Sequence, residues 1–399
     1  MRKLVKSLVL TTVLFTATLM LIQPTIAEDK VVIGVLSAFS GPYASLGEDS
    51  ERGAQYAAEE AGGKVLGKPL ELMFIDTEVK AGVAARKVRE ASQSKGVKFF
   101  NGAISSGVGL AVSQACKEEE AIYFTSVGAD AVTGSKCSPY TFRWSIPTYG
   151  AVQQTVKPLI KKFPDAKRWY TITPDYVFGH SLLDNAKAVF KEYGVQHVGN
   201  DMHPIGHTEF SSFITKAMAA KADFVVFFNF GKDTINALKQ ANNFGLTKKA
   251  KILVAWSSGL RDLEEIGPEF CEGVYFGSQF WHDVDAPVTQ KLNKVWMEKY
   301  NSFPSYVEAS QYMMTKIQIM AIELAGTTDT AAVRKALEGM QYDGPTGQEE
   351  IQAFDHQVKK NFYLLRAKAR KDIKRPGDNA AVISFGQSVK SQAESDCNM

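Results

Sequence analysis

A repeated alternation of short apolar runs and longer amphipathic stretches governs what this chain can fold into. Val31-Val32-Ile33-Gly34-Val35-Leu36 is apolar at successive positions, so a strand there must be buried on both faces. A Gly/Ser turn and an Ala-rich helical stretch over 47–61 follow. The grammar repeats with strands at 70–75, 97–103 and 121–127 and helices at 81–94 and 108–119. After about Pro147 it restarts, with helix 151–162, strand 169–173, helix 180–193 and a strand around 195–198. Helix 209–220, strand 224–228, helix 233–244 and strand 252–255 continue it. Such strands separated by helices predict parallel sheets covered on both faces, and two series predict two doubly wound α/β lobes. After Trp281 the chain turns mainly helical, over 288–300, 306–324 and 331–340, before a late strand at 362–365 that follows Gly344-Pro345-Thr346-Gly347. No low-complexity linker separates the two series, which predicts several crossing strands instead of one tether.

The first residues stand outside this grammar. Arg2, Lys3 and Lys6 precede an apolar run from Leu8 to Ile22, and Pro24-Thr25-Ile26-Ala27 supplies small residues at a cleavage site. The run is short for a spanning helix, which needs ~20 apolar residues, and the order is that of a secretory signal peptide over 1–27. Cleavage after Ala27 predicts a soluble, exported protein, and no Cys near that point accepts a lipid. The segment also carries the whole basic surplus. Of 46 Lys+Arg against 43 Asp+Glu, its three basic residues are the excess, which leaves 43 of each sign in the remainder. Those charges are dispersed, as in Lys117-Glu118-Glu119-Glu120, so no electrostatic footprint for nucleic acid exists.

Export permits disulfides among Cys116, Cys137, Cys271 and Cys397. No C-x-x-C occurs, which removes the usual zinc and redox patterns. Cys116 and Cys137 are close in sequence and are either bridged or two unpaired buried thiols.

Enzyme signatures are missing one after another. There is no G-x-x-x-x-G-K-[ST], and Ser37-Ala38-Phe39-Ser40-Gly41-Pro42 stands where a dinucleotide site needs G-x-G-x-x-G. The nearest approach to a nucleophile elbow, Ala103-Ile104-Ser105-Ser106-Gly107, lacks the leading Gly. His197, His203 and His207 fall in a strand-to-loop stretch without a carboxylate motif and read as loop histidines. Neither catalytic residue nor metal or cofactor is expected.

The sequence places small polar turns where parallel strands end, and ligands of open α/β sheets bind in that crevice. Ser105-Ser106-Gly107-Val108-Gly109 opens a helix, where hydroxyls and free N–H groups suit a carboxylate. A plain N-cap serine is the bland alternative. Ser126-Val127-Gly128-Ala129-Asp130 ends the next strand, while the second series ends in turns carrying Tyr176, Phe230 and Trp256.

These residues resemble the type I periplasmic solute-binding proteins of the branched-chain (hydrophobic) amino acid ABC-transporter class. The likeness rests on Val32–Ser37 followed by Ser40-Gly41-Pro42-Tyr43-Ala44 and Gly47, on Gly53-Ala54, on Ser105-Ser106, on Cys137 before Phe142-Arg143, and on Asp175-Tyr176 with Phe178-Gly179-His180. It spans nearly the whole chain after the signal. The resemblance implies two lobes joined by three crossovers, near 145–148, 278–282 and 345–350. Residues 28–146 and 282–345 would form the N-terminal lobe, and 147–281 and 346–399 the C-terminal lobe. It also implies a monomer in the periplasm that closes on a small-molecule solute and docks on a membrane permease of an ATP-driven importer.

Carried over by position, Ser105 and Ser106 would hold a ligand carboxylate and Tyr43 would act as an aromatic lid. Gly128 and Ala129 fall where the family often has a small residue and a Thr, so here the hydroxyl is missing. Tyr176 or Phe178, Phe230 and Trp256 match second-lobe contacts. Where amino-acid binders place an acid for the ammonium, this chain has Ser257 and Ser258, and the other acid position falls among Pro147, Thr148 and Tyr149. A buried ammonium without countercharge costs several kcal/mol, so an aromatic or aliphatic carboxylate is expected ahead of a zwitterion. A ligand sensor for a membrane receptor and an exported α/β enzyme are the competing classes; neither finds its own signature here.

Overall fold

The computed structural model describes residues 30–399, so the signal segment lies outside the described residues. The first sheet has six strands in the spatial order Lys64–Val65, Lys68–Asp76, Val31–Ser37, Phe99–Gly102, Ile122–Thr125, Thr141–Arg143. All pairs but the first are parallel. The second sheet has seven, in the order Ala380–Gly386, Phe362–Ala367, Tyr275–Ser278, Lys251–Ser257, Phe224–Phe227, Arg168–Pro174, Gln196–His203. Its five-strand parallel part carries two antiparallel strands from the chain's end. The continuous apolar runs occupy the middle positions, where both faces are helix-covered: Val31–Ser37 and Phe224–Phe227 are almost wholly buried.

The helix Tyr306–Ala325 starts at a capping box in which Ser305 and Glu308 satisfy each other's backbone N–H groups. It returns to the first sheet. Gln311 Nε2 donates to Asn101 Oδ1, while Asn101 Nδ2 donates to Thr315 Oγ1 at 3.1 Å and to Gln318 Oε1 at 2.7 Å. The same helix lies along Ala44–Glu60, and Gly53 permits the approach: a Cβ there would sit 2.3 Å from the Glu308 carbonyl oxygen. Among the described residues no helix is long and apolar enough to cross a membrane.

The chain passes between the lobes three times, and the three passages are bonded to one another. Ile146 N–H donates to Gln279 Oε1 at 3.0 Å, Gln279 Nε2 to the Ile146 carbonyl at 3.3 Å, and Lys360 Nζ to the Gln279 carbonyl at 2.6 Å. The third passage is therefore at Lys360, not at 345–350. Gly344-Pro345-Thr346-Gly347 is the turn of a hairpin between Gln341–Gly344 and Gly347–Ile351, with Gly347 at φ +103°. Together with Val358–Lys359 these strands form a small third sheet, which a bridge from Gln357 to Arg143 attaches to the edge of the first. Residues 347–359, expected in the second lobe, thus bond to the first.

The disulfide expectation is overturned. Cys137 is bridged to Cys397, 260 residues away, with Cα atoms 5.6 Å apart. Cys116 is free because its helix, Ser106–Glu118, turns it into the first lobe's core, and Cys271 is also free and buried. The bridge ties the tail beyond Ala380–Gly386 in the second sheet to the loop before Thr141–Arg143 in the first. Replacing Cys137 and Cys397 by Ser is expected to cost about 2–4 kcal/mol of stability, the range for closing a long loop. Urea unfolding of the two forms side by side measures it, and equal midpoints would show that the tail contributes nothing.

His282, at the second passage, is buried with neither ring nitrogen hydrogen-bonded, and its ring lies tilted against Phe303 with centroids 4.5 Å apart. Burial pushes its pKa down to about 4. An unfolded imidazole titrates near ~6.5, so the native state binds fewer protons in between. The stability from this group is complete above about pH 6.5 and is lost as pH falls through 4, roughly 3 kcal/mol in all. His282→Phe should remove that part of the acid loss when urea midpoints at neutral pH and pH ~4 are compared; parallel pH profiles for the two proteins would contradict it.

Candidate functional site

The site starts from a strained turn. After strand Phe99–Gly102, Gly102 has φ +104° and Ala103 φ +79°. A Cβ on Gly102 would lie 2.1 Å from the Leu36 carbonyl oxygen, so only glycine fits. The Gly102 carbonyl accepts from Tyr123 Oη and Thr125 Oγ1, both at 2.9 Å, which holds the turn. This sets two serines at the start of the helix Ser106–Glu118, and they take different roles. Ser105 Oγ accepts from Val108 N–H at 3.3 Å and is the N-cap. Ser106 Oγ accepts from Ala129 N–H at 3.1 Å and keeps its own proton to donate. The N–H groups of Ser106 and Gly107 have no intrahelical acceptor, and the helix dipole is positive at this end.

Here the two lobes enclose a cavity of about 490 Å³, part of it open to solvent. That lies within the roughly 300–1,000 Å³ of small-molecule sites. The first lobe contributes Ser106, Ser126 and Gly128; the second contributes Tyr176, Phe178, Phe230 and Trp256. The returning helix adds Tyr306, Ser310 and Gln311. Phe178 meets Trp256 edge-on at 5.3 Å, and Trp256 meets Tyr306 edge-on at 6.4 Å. Among the described residues not one charged side chain lines this cavity.

The expected site residues divide accordingly. Ser106, Gly128, Tyr176, Phe178, Phe230 and Trp256 line the cavity. Tyr43 and Ser105 line an outer pocket that shares Ile104, Tyr176 and Phe230 with it. Ala129 is buried beside the cavity, where its backbone, not a side-chain hydroxyl, engages Ser106. Tyr149 is elsewhere, lining a different cavity with Asp130, Arg143, Lys390 and Asp396. The start of its helix, Thr148–Lys162, is tied to Asp130: Thr148 Oγ1 donates to Asp130 Oδ1 at 2.8 Å and Tyr149 N–H at 2.9 Å. Ser257 is bonded within the second lobe, whereas the Ser258 hydroxyl is buried without a partner among the described residues and only the Ser258 backbone is engaged. Ser257 Oγ donates to the Gly277 carbonyl at 2.9 Å and Ser258 N–H to Asp262 Oδ2 at 2.7 Å.

Arg143 supports the site from behind. Fully buried, it donates from Nη1 to the carbonyls of Gly128 (3.2 Å) and Ala129 (2.6 Å), from Nε to Gln357 Oε1 (2.6 Å) and from Nη2 to Thr133 Oγ1. Burial lowers its pKa to about 10, so it stays charged at neutral pH.

Sequence reasoning missed Tyr306 and Gln311. Tyr306 Oη donates to the Ser126 carbonyl at 2.9 Å, linking helix to strand end. The available signal was the polar series Gln311, Thr315, Gln318, which lies on one face of a mostly buried helix. Among the described residues no group of three His, Cys, Asp or Glu could hold a metal ion.

A match to the periplasmic binding protein family model runs over residues 30–372, which is most of the chain. The chain belongs to the periplasmic binding protein family. An amino acid ABC transporter substrate-binding protein from Pseudomonas fluorescens Pf-5 shares 44% identity and superposes with a TM-score of 0.89 over 93% of this binding protein and 99% of that chain. Leu/Ile/Val-binding protein homolog 7 of Brucella abortus (strain 2308) is 25% identical over 79% of this chain and 83% of its own length. An ABC-transporter solute-binding protein from R. palustris in complex with benzoate has the same fold, with a TM-score of 0.82 over 93% of this chain and 100% of its own at 21% identity. The architecture is that of the type I binding proteins, two lobes of doubly wound α/β type, and the family's members are solute-binding transport proteins resident in the periplasm.

Proposed function

We propose that this binding protein captures a small carboxylate-bearing solute with an aromatic or aliphatic body between its lobes and delivers it to an ABC-type membrane permease. It would do so as a monomer, exported by a signal cleaved after Ala27. One observation carries the reading: the cavity pairs Ser106 and the open end of its helix with Phe178, Phe230 and Trp256, and no side chain in it is charged. A carboxylate suits donors at a helix start. The aromatics suit an apolar body. A zwitterion would leave its ammonium without a countercharge in this cavity, at a cost of several kcal/mol. The R. palustris protein bound to benzoate supports the same ligand class.

Thermal denaturation with a panel of benzoate-type and short aliphatic acids tests it. A bound acid at about 100 times its Kd stabilises by roughly 2.7 kcal/mol, which raises the midpoint by a few degrees. Submicromolar binding of leucine with no response to any acid would overturn the proposal.

A further inference from the structure

Beyond the cavity that takes the carboxylate, the cleft continues into the outer pocket, and the two share Ile104, Tyr176 and Phe230. The outer pocket is lined mainly by apolar and aromatic groups; beside the capping Ser105 it holds one charged side chain among the described residues, the carboxylate of Asp233. Asp233 is 3% exposed. Its Oδ2 accepts from Gly206 N–H at 3.1 Å, but its Oδ1 has no hydrogen-bond partner. The residue is not placed by chance. Asn229 donates from Nδ2 to the Asp233 carbonyl at 3.2 Å and pairs through Oδ1 with His203 Nε2 at 3.1 Å, which fixes the turn. Gly231, at φ +61°, lets the Tyr43 ring of the first lobe lie against that turn, with Tyr43 Cε1 3.7 Å from where a Cβ would stand. A buried acceptor left unpaired is costly; the Tyr43 phenol faces this carboxylate from the first lobe, and a donor entering through the cleft would take its place at Oδ1.

We infer that Asp233 is a specificity-determining residue, and that the solute carries a hydrogen-bond donor, at the end opposite its carboxylate, which Oδ1 of Asp233 accepts. The inference rests on the carboxylate reading above and adds the second recognition point to it. Such a donor could be a hydroxyl or an ammonium group. An ammonium there would be paired in the outer pocket, away from the uncharged aromatic cavity. Burial raises the Asp233 pKa to about 6, so the carboxylate is ionised at neutral pH and accepts from either donor.

The experiment is calorimetric titration at neutral pH with matched acids: benzoate, phenylacetate and phenylpropanoate, each with and without a para hydroxyl, and with a para aminomethyl group. The wild-type protein is expected to prefer a donor-bearing acid over its plain partner by about tenfold or more in at least one pair, the size of a hydrogen bond to a charged group. A larger gain from aminomethyl than from hydroxyl identifies an amine as the donor, and the reverse identifies a hydroxyl. Asp233→Ala should reduce the preference to less than about twofold while leaving the plain acid within about threefold of wild type. Asp233→Asn, which keeps the shape and one acceptor oxygen, should retain part of it. Equal affinities within every pair overturn the inference and leave the carboxylate reading standing. A preference that survives in both variants, or a loss of affinity for plain and donor-bearing acids alike, assigns Asp233 to clasping Tyr43 and also overturns it. If no acid binds, both readings fall.

Discussion

Replacing Arg261 by Met is expected to weaken solute binding by about 100-fold or more while the protein stays folded. Arg261 belongs to the second-lobe helix Leu260–Ile266 and Asp49 to the first-lobe helix Ala44–Glu60. The Arg261 guanidinium donates from Nη1 to Asp49 Oδ1 across the lobes, and Ser305 Oγ donates to Asp49 Oδ2 at 3.0 Å. Asp49 is fully buried. Arg52, the next cation, faces Glu308 at 3.5 Å. Without Arg261 the closed form retains a buried carboxylate with the Ser305 hydroxyl and only the more distant Arg52 guanidinium for company. Breaking such a pair by removing one partner costs about 3–5 kcal/mol. Opening the lobes lets water reach Asp49, so the cost falls on closure, not on folding. A two-state equilibrium penalised by this amount lowers apparent affinity in proportion to the lost closed population. Titration with the tightest-binding acid measures the loss, and X-ray scattering should show a larger radius of gyration. The double replacement Asp49→Asn with Arg261→Met should recover part of the affinity, because it removes both charges. Unchanged affinity in Arg261→Met would mean that the pair does not control closure.

Gly128→Val is the second large effect. Gly128 belongs to the first lobe, yet a Cβ on it would stand 2.8 Å from Phe178 Cε2 and 2.9 Å from Trp256 Cη2, both of the second. Its own backbone cannot retreat, since its carbonyl accepts from Thr148 N–H at 2.8 Å and from Arg143. The branched side chain therefore wedges the lobes apart and fills the cavity that the solute would occupy. Overpacking costs of about 1–3 kcal/mol add to the lost contact area, and binding should fall at least 100-fold with the melting midpoint little changed. Gly128→Ala should lie between. Wild-type affinity in the valine variant would contradict the closed arrangement of these rings.

Both effects turn on contacts between lobes, and those contacts were the part least legible in the residues. The alternation of apolar runs and amphipathic helices was sufficient for the two parallel sheets, because burial on both faces leaves its mark at every strand position. Short strands left little mark. Thr141–Arg143 has too few residues for a pattern, and the hairpin at 344–347 reads from sequence as a break that could equally be a passage between lobes. Strand-end turns were legible as neighbours around one cavity, since parallel sheets put every such turn on one edge. Which side chain of a turn faces the cleft was not. Ser105 and Ser106 are adjacent and chemically alike, and only the path of the helix makes one a cap and leaves the other in the cavity. Tyr149 lines a different cavity for the same reason, its helix start being held by Asp130.

By itself the sequence determined local identity: which segments are buried strands, which are helices, and where small, polar and aromatic residues punctuate them. These depend on neighbours two to four residues apart, whose spacing the chain states directly. Tertiary structure alone decided the partners. Cys137 pairs with Cys397 and not with the nearer Cys116, Asp49 pairs with Arg261, and Tyr306 and Gln311 reach a cleft built by strands some 200 residues earlier in the chain. The physical reason is that closing a loop costs only slowly more as it lengthens, so proximity in sequence carries little weight once two lobes have folded and brought distant faces together.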